Sequence, residues 1–159
     1  MQKNLRMGGQ TKMNLQPLVT ELAKPEYASL TDQEAADVIN AKTITVRKLV
    51  DTYVIKRYAI EHGIWPKIVL VREDTKELDL ILRGLCISVV SWIDDPNIQT
   101  IDIDLPKVQE MLGGLILYNI ATETEIQEIN AMASVTVPWT THNGIGEVGI
   151  GYIRAARGM

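Results

Sequence analysis

The sequence predicts a mostly α-helical protein, a compact multi-helix domain around a central apolar helix at about residues 77–93, with few short extended segments. Three observations carry this expectation. The longest apolar run, ELDLILRGLCISVVSWI at Glu77–Ile93, places Leu78, Ile81, Leu82, Leu85, Val89 and Trp92 at helical offsets on one face. Two capping boxes, at Thr31–Glu34 and Thr122–Glu125, mark helix starts. In each, the threonine hydroxyl accepts from the third helical amide and the glutamate reaches back. Extended structure rests only on short alternations such as TIDID at Thr100–Asp104.

In the central run, Leu80, Ile87, Val90 and Ile93 widen the apolar stripe, and Asp79 and Arg83 are its solvent markers. A helix apolar nearly all round is either buried or membrane-spanning. Spanning takes about 20 consecutive apolar residues. Arg83 interrupts this run and Asp94-Asp95 close it, so it reads as a core helix and no membrane partner is expected. Gly84, Ser88 and Ser91 form a small-residue flank, for which a helix containing Gly113-Gly114 is the expected neighbour.

Residues 1–12, MQKNLRMGGQTK, read as a flexible leader, and residues 13–159 as a single helical domain. Leu15, Leu18, Val19 and Leu22 make a short amphipathic helix that tolerates Pro17 in its first turn, and Pro25 ends it. The first capping box opens a helix to about Ala41 with Ala35, Val38 and Ile39 inward, and Lys42–Leu49 reads as extended. Asp51 or Thr52 caps a helix that runs to His62 and stops at Gly63. Ile64-Trp65-Pro66 makes a turn, and Lys67–Asp74 fits either a buried strand or a helix, of which the helix is favoured because Pro66 suits its first position. After the stop at Asp94–Asn97, Asp104 is expected to cap a helix that buries Val108, Met111, Leu112, Leu115 and Ile116. The second capping box opens a helix through Ile126, Ile129 and Ala133. A VTVPW segment, a glycine-rich stretch and a helical Tyr152–Arg157 complete the chain.

The chain has 159 residues, 46% hydrophobic and 23% charged, which suits one globular domain with a real core. A single cysteine, Cys86, excludes an internal disulfide and a multi-cysteine metal site, and its apolar setting reads as an inert core thiol. Residues 1–12 carry no apolar segment of the kind a secretory signal needs. The net charge of −4 is unevenly spread. Lys42–Arg72 holds seven basic residues against two acids, and Asp94–Glu147 holds one against nine. Such asymmetry suits a basic ligand-facing patch or two complementary surfaces that meet in an assembly.

Chemistry-bearing patterns are few. Gly144–Gly149, GIGEVG, has the letters of a dinucleotide fingerprint but only ten residues after it, too few for the required βαβ unit. Its glycines suit a tight loop with positive φ. His62 sits at a helix end and His142 in a polar loop with Thr140 and Thr141; neither shows ligand or catalytic spacing. Asp94, Asp95, Asp102 and Asp104 lack calcium-loop spacing. No catalytic, metal-binding or cofactor-binding residue is therefore assigned, and no cofactor is expected. The one basic–aromatic cluster, Arg47, Lys48, Tyr53, Lys56, Arg57 and Tyr58, is the candidate interaction surface.

Two stretches, LTDQEAADVINAKTITVRK at Leu30–Lys48 and GIGEVGIGYIRAAR at Gly144–Arg157, with MLGGL at Met111–Leu115 between them, carry a resemblance. They resemble small proteins encoded among the virion-structure genes of tailed bacteriophages. The resemblance spans most of the chain after Met13 and transfers no functional residue. It implies a non-enzymatic virion-associated or assembly protein, located in the virion or in the host cytoplasm during assembly. Its partners would be other virion proteins or copies of itself. The alternatives are a nucleic-acid-binding regulator using Arg47–Tyr58 and a small inhibitor of a host protein.

Overall fold

The computed structural model describes residues 14–74 and 80–158. In chain order the elements are α1 (Gln16–Leu22), a 3-10 turn (Pro25–Tyr27), α2 (Asp32–Ala41), β1 (Thr43–Arg47), β2 (Val50–Asp51), α3 (Thr52–Glu61), α4 (Ile64–Glu73) and α5 (Leu80–Ile93). There follow β3 (Thr100–Ile101), α6 (Pro106–Leu117), α7 (Glu123–Met132), β4 (Ser134–Pro138), α8 (Trp139–His142) and α9 (Ile150–Arg157). The protein is mostly helical, and the described strands form two sheets of two strands each, β1 with β4 and β2 with β3. In the second sheet the strands are antiparallel, with Val50 opposite Ile101.

The described residues pack in two compact units. One takes the residues up to Thr45 and from Thr136 onward, and the other takes Val46–Val135. The first unit buries Leu18, Tyr27, Ala35, Ile39, Trp139, Ile145, Val148 and Ile153 in one cluster. The Thr31 hydroxyl and the Glu34 carboxylate close the expected capping box at the start of α2. Asn40 at the far end of α2 donates to the Val148 carbonyl and accepts from the Val148 amide, both at 2.9 Å. Those two bonds fasten the glycine-rich loop, in which Gly144 (φ 66°) and Gly146 (φ 72°) take the left-handed conformation that a side chain disfavours. The C-terminal α9 is held on α2 by Asp32, which accepts from Arg154 at 3.0 Å and from Arg157 at 2.8 Å.

Within the second unit, α5 is the central element: it packs on α4, on α6 and on α3. Its buried residues Leu82, Cys86 and Val90 join Ile64, Ile68, Ile101, Ile103, Leu115 and Ile129 in a second cluster. The buried line of α5 thus runs through Leu82, Cys86 and Val90, about one residue around from the expected stripe. Leu85, Val89 and Trp92 are partly buried, Ile81 is 71% exposed, and Leu78 lies outside the described residues, as does the expected leader 1–12. The all-round apolarity of the run hides its phase from a periodicity count.

Other boundaries shift for local reasons. Helix α4 begins at Ile64, directly after Gly63 at φ 70°, so Pro66 occupies the third helical position, which has no intrahelical amide bond to lose. Leu105, not Asp104, is the N-cap of α6, because the Asp104 carboxylate is drawn away to Arg47. The TIDID segment pairs only at Thr100–Ile101 and then turns, with the Asp104 amide donating to the Asp102 carboxylate. In α2, Ala36 is buried in place of Val38, which is 46% exposed. Strand β4 was not anticipated, although Val135 and Val137 alternate in the strand manner.

Candidate functional site

The cluster expected from sequence begins in β1 and runs into α3. Asp51 caps α3 by accepting from the Tyr53 amide, which sets the phase of the helix. Tyr53, Lys56 and Arg57 then share a face at spacings of three and four, and Tyr58 falls off it. Each cation but one meets a carboxylate. Arg47 donates to both Asp104 oxygens, at 2.8 and 2.6 Å, and also to the Asn130 carbonyl and the Ser134 hydroxyl. That forked pairing holds the Asp104 carboxyl below its usual range and raises Arg47. Lys56 donates to Asp94, with its ammonium 4.8 Å from the centre of the Trp65 ring. Arg57 lies 3.6 Å from Glu61. The Tyr58 hydroxyl donates to Glu128 while its ring stacks on His62. Burial and then the Glu128 carboxylate push Tyr58 up to about 12.

Lys48 and Tyr53, the latter 68% exposed, are the members of the cluster whose side chains face water without a described partner. The six residues therefore do not form one open basic face. Asp104, Asp94 and Glu128, which pair with Arg47, Lys56 and Tyr58, come from the acidic stretch of the sequence, while Glu61 beside Arg57 comes from the basic one, so part of the charge segregation along the chain closes on itself inside the second unit.

The other candidates disperse. His62 holds its Nδ1 3.0 Å from the Tyr58 carbonyl at the end of α3. His142 is exposed at the end of α8 while Thr140 is buried. Asp95 accepts from Asn97 in the turn after α5. Among the described residues, no group of three His, Cys, Asp or Glu side chains could hold a metal ion. Burial pushes the Cys86 thiol up, away from the reactive thiolate. No helix among the described residues is long and apolar enough to cross a membrane.

What the sequence did not reveal is an exposed apolar surface on the second unit. Leu80 is 82% exposed, Leu117 75% and Ile81 71%. Ile81 and Leu117 line a groove of about 400 Å³ between α5 and α6, together with Gly84, Ser88, Gly113 and Gly114. The groove owes its depth to the glycines. A Cβ at Gly84 or Gly113 would meet nothing within 4 Å, while one at Gly114 would come within 2.8 Å of Leu85. The small flank of α5 therefore borders open space, and it is Leu85 that packs on the α6 glycine. The legible signal was α5 itself: a helix apolar on every side has more apolar surface than one core can cover. A second cavity, of about 60 Å³, lies beside α5 and is lined by apolar side chains such as Ile68, Trp92 and Leu112.

Comparison with protein-family models, curated proteins and solved structures finds no match to this chain.

Proposed function

We propose that this is a non-enzymatic structural or interaction protein of a tailed bacteriophage, acting in the virion or in the host cytoplasm during assembly. It works through contact with other virion proteins or with copies of itself. The observation that carries the reading is the apolar surface of the α5–α6 groove, where Ile81 and Leu117 stand largely in water and Leu80, next to Ile81 in sequence, is exposed as well. Contiguous apolar patches of this kind mark protein-contact sites. The phage setting rests on the resemblance at Leu30–Lys48, Met111–Leu115 and Gly144–Arg157. The nucleic-acid reading draws less support, because Arg47, Lys56 and Arg57 already sit beside carboxylates.

Mass spectrometry of purified particles, and of assembly precursors isolated before completion, tests the proposal. The chain is expected in at least one of them at a reproducible copy number. Its absence from both overturns the virion reading.

A further inference from the structure

Resting on that contact role, we propose that the α5–α6 groove is a self-association site, and that its occupant is a second copy of this chain related by a two-fold axis. A two-fold interface uses the same patch on both partners, so the patch has to contain both halves of the contact. This one does. Leu117 and Ile81 supply exposed apolar side chains, and Gly84 and Gly113 supply a floor with open space above it. The apolar residues of one copy enter the floor of the other.

Charge selects the occupant. Among the described residues the groove is lined by one base and one acid, Lys107 and Glu110, both exposed and 3.0 Å apart on α6. Their sum is zero, so this pair draws in neither a polyanion nor a strongly basic segment. The pair is complementary to itself: with the two-fold axis running along α6, Lys107 of each copy comes within reach of Glu110 of the other, about one helical turn along. Along α6 the helical rise puts Lys107 about 15 Å and Glu110 about 10 Å from Leu117. The apolar contact and the ion pairs thus occupy different stretches of one seam, and the charges fix its register.

Sedimentation of the full chain over a range of concentrations tests this. The wild type is expected to show a dimer that grows with concentration. Leu117→Lys is expected to leave a monomer with unchanged circular dichroism, since that side chain stands in water in the single chain. Lys107→Glu and Glu110→Lys should each weaken the dimer by roughly tenfold, through loss of two symmetry-related pairs and their replacement by like charges. An equimolar mixture of these two variants should recover it, because two acids on one copy then face two bases on the other. A wild-type chain that stays monomeric at millimolar concentration overturns the proposal, as does a dimer indifferent to Leu117→Lys and to the charge reversals. The two readings fail separately: a monomer found in particles removes the self-association site alone, and a dimer missing from particles and precursors removes the virion role alone.

Discussion

Glu21 is the residue whose environment departs furthest from its chemistry. It is 4% exposed and ionisable, yet it accepts hydrogen bonds from Lys24 at 2.7 Å, from the Tyr27 hydroxyl at 2.9 Å and from Lys42. Burial opposes its ionisation, but those three donors outweigh burial and hold its carboxyl below the ordinary value of 4.5. Tyr27, buried and tied to the same carboxylate, is pushed up to about 12. Because the folded value of Glu21 is depressed, its contribution to stability is full above the ordinary value and is lost as pH falls through the folded one. Acid unfolding of Glu21→Gln, followed by circular dichroism, should therefore show a shallower limb below pH 4.5, by up to about 1.4 kcal/mol per pH unit. Glu21→Ala should cost about 2–3 kcal/mol in urea unfolding at neutral pH, less than the loss of a fully enclosed pair because Lys42 keeps some contact with water. Sequence shows Glu21 only as a polar position in a short amphipathic helix. Its burial arises because Tyr27 and Lys42, six and 21 residues on, fold back over it.

Among the elements, α5 and α6 show how much depends on one methyl group. Gly113 and Gly114 are adjacent in α6, and both weaken it by up to about 1 kcal/mol relative to alanine. At Gly113 a Cβ would meet nothing, so Gly113→Ala should stabilise the chain by up to about 1 kcal/mol. At Gly114 the same methyl would approach a Leu85 methyl to 2.8 Å. Gly114→Ala should then leave the protein less stable than Gly113→Ala, by about 1–3 kcal/mol from overpacking. Paired urea titrations of the two variants check the order, and equal midpoints would show that Leu85 simply swings aside. Helix starts were readable because a capping box is local: Thr31, Glu34, Thr122 and Glu125 do in the structure what their spacing implies. The phase of α5 was not readable, since ten apolar residues in fourteen leave the buried line to be chosen by neighbours.

At the scale of the whole molecule, each of the two buried clusters draws on its own set of segments. Every residue of the second cluster lies between Val50 and Ala133, inside one continuous stretch of chain. A polypeptide of residues 46–135 is therefore expected to keep helical circular dichroism and a cooperative melt; a featureless spectrum would show that this core needs the rest of the chain. The charge distribution leads to a second expectation. Arg47 and Lys56 are neutralised by Asp104 and Asp94 of the same unit, and the net charge is −4. The full chain should pass a DNA column unretained at moderate salt, and tight binding that falls steeply with added salt would reopen the nucleic-acid reading. The sequence by itself determined the helical class, the capped helix starts, the turn at Asp94–Asn97 and the inert setting of Cys86, because each depends on residues a few positions apart. Only the tertiary structure decided that the core is divided in two, that the basic stretch finds its counter-charges within the chain, and that Ile81, Leu80 and Leu117 are left in water. Those outcomes depend on which distant segments meet, and side-chain periodicity carries no information about that.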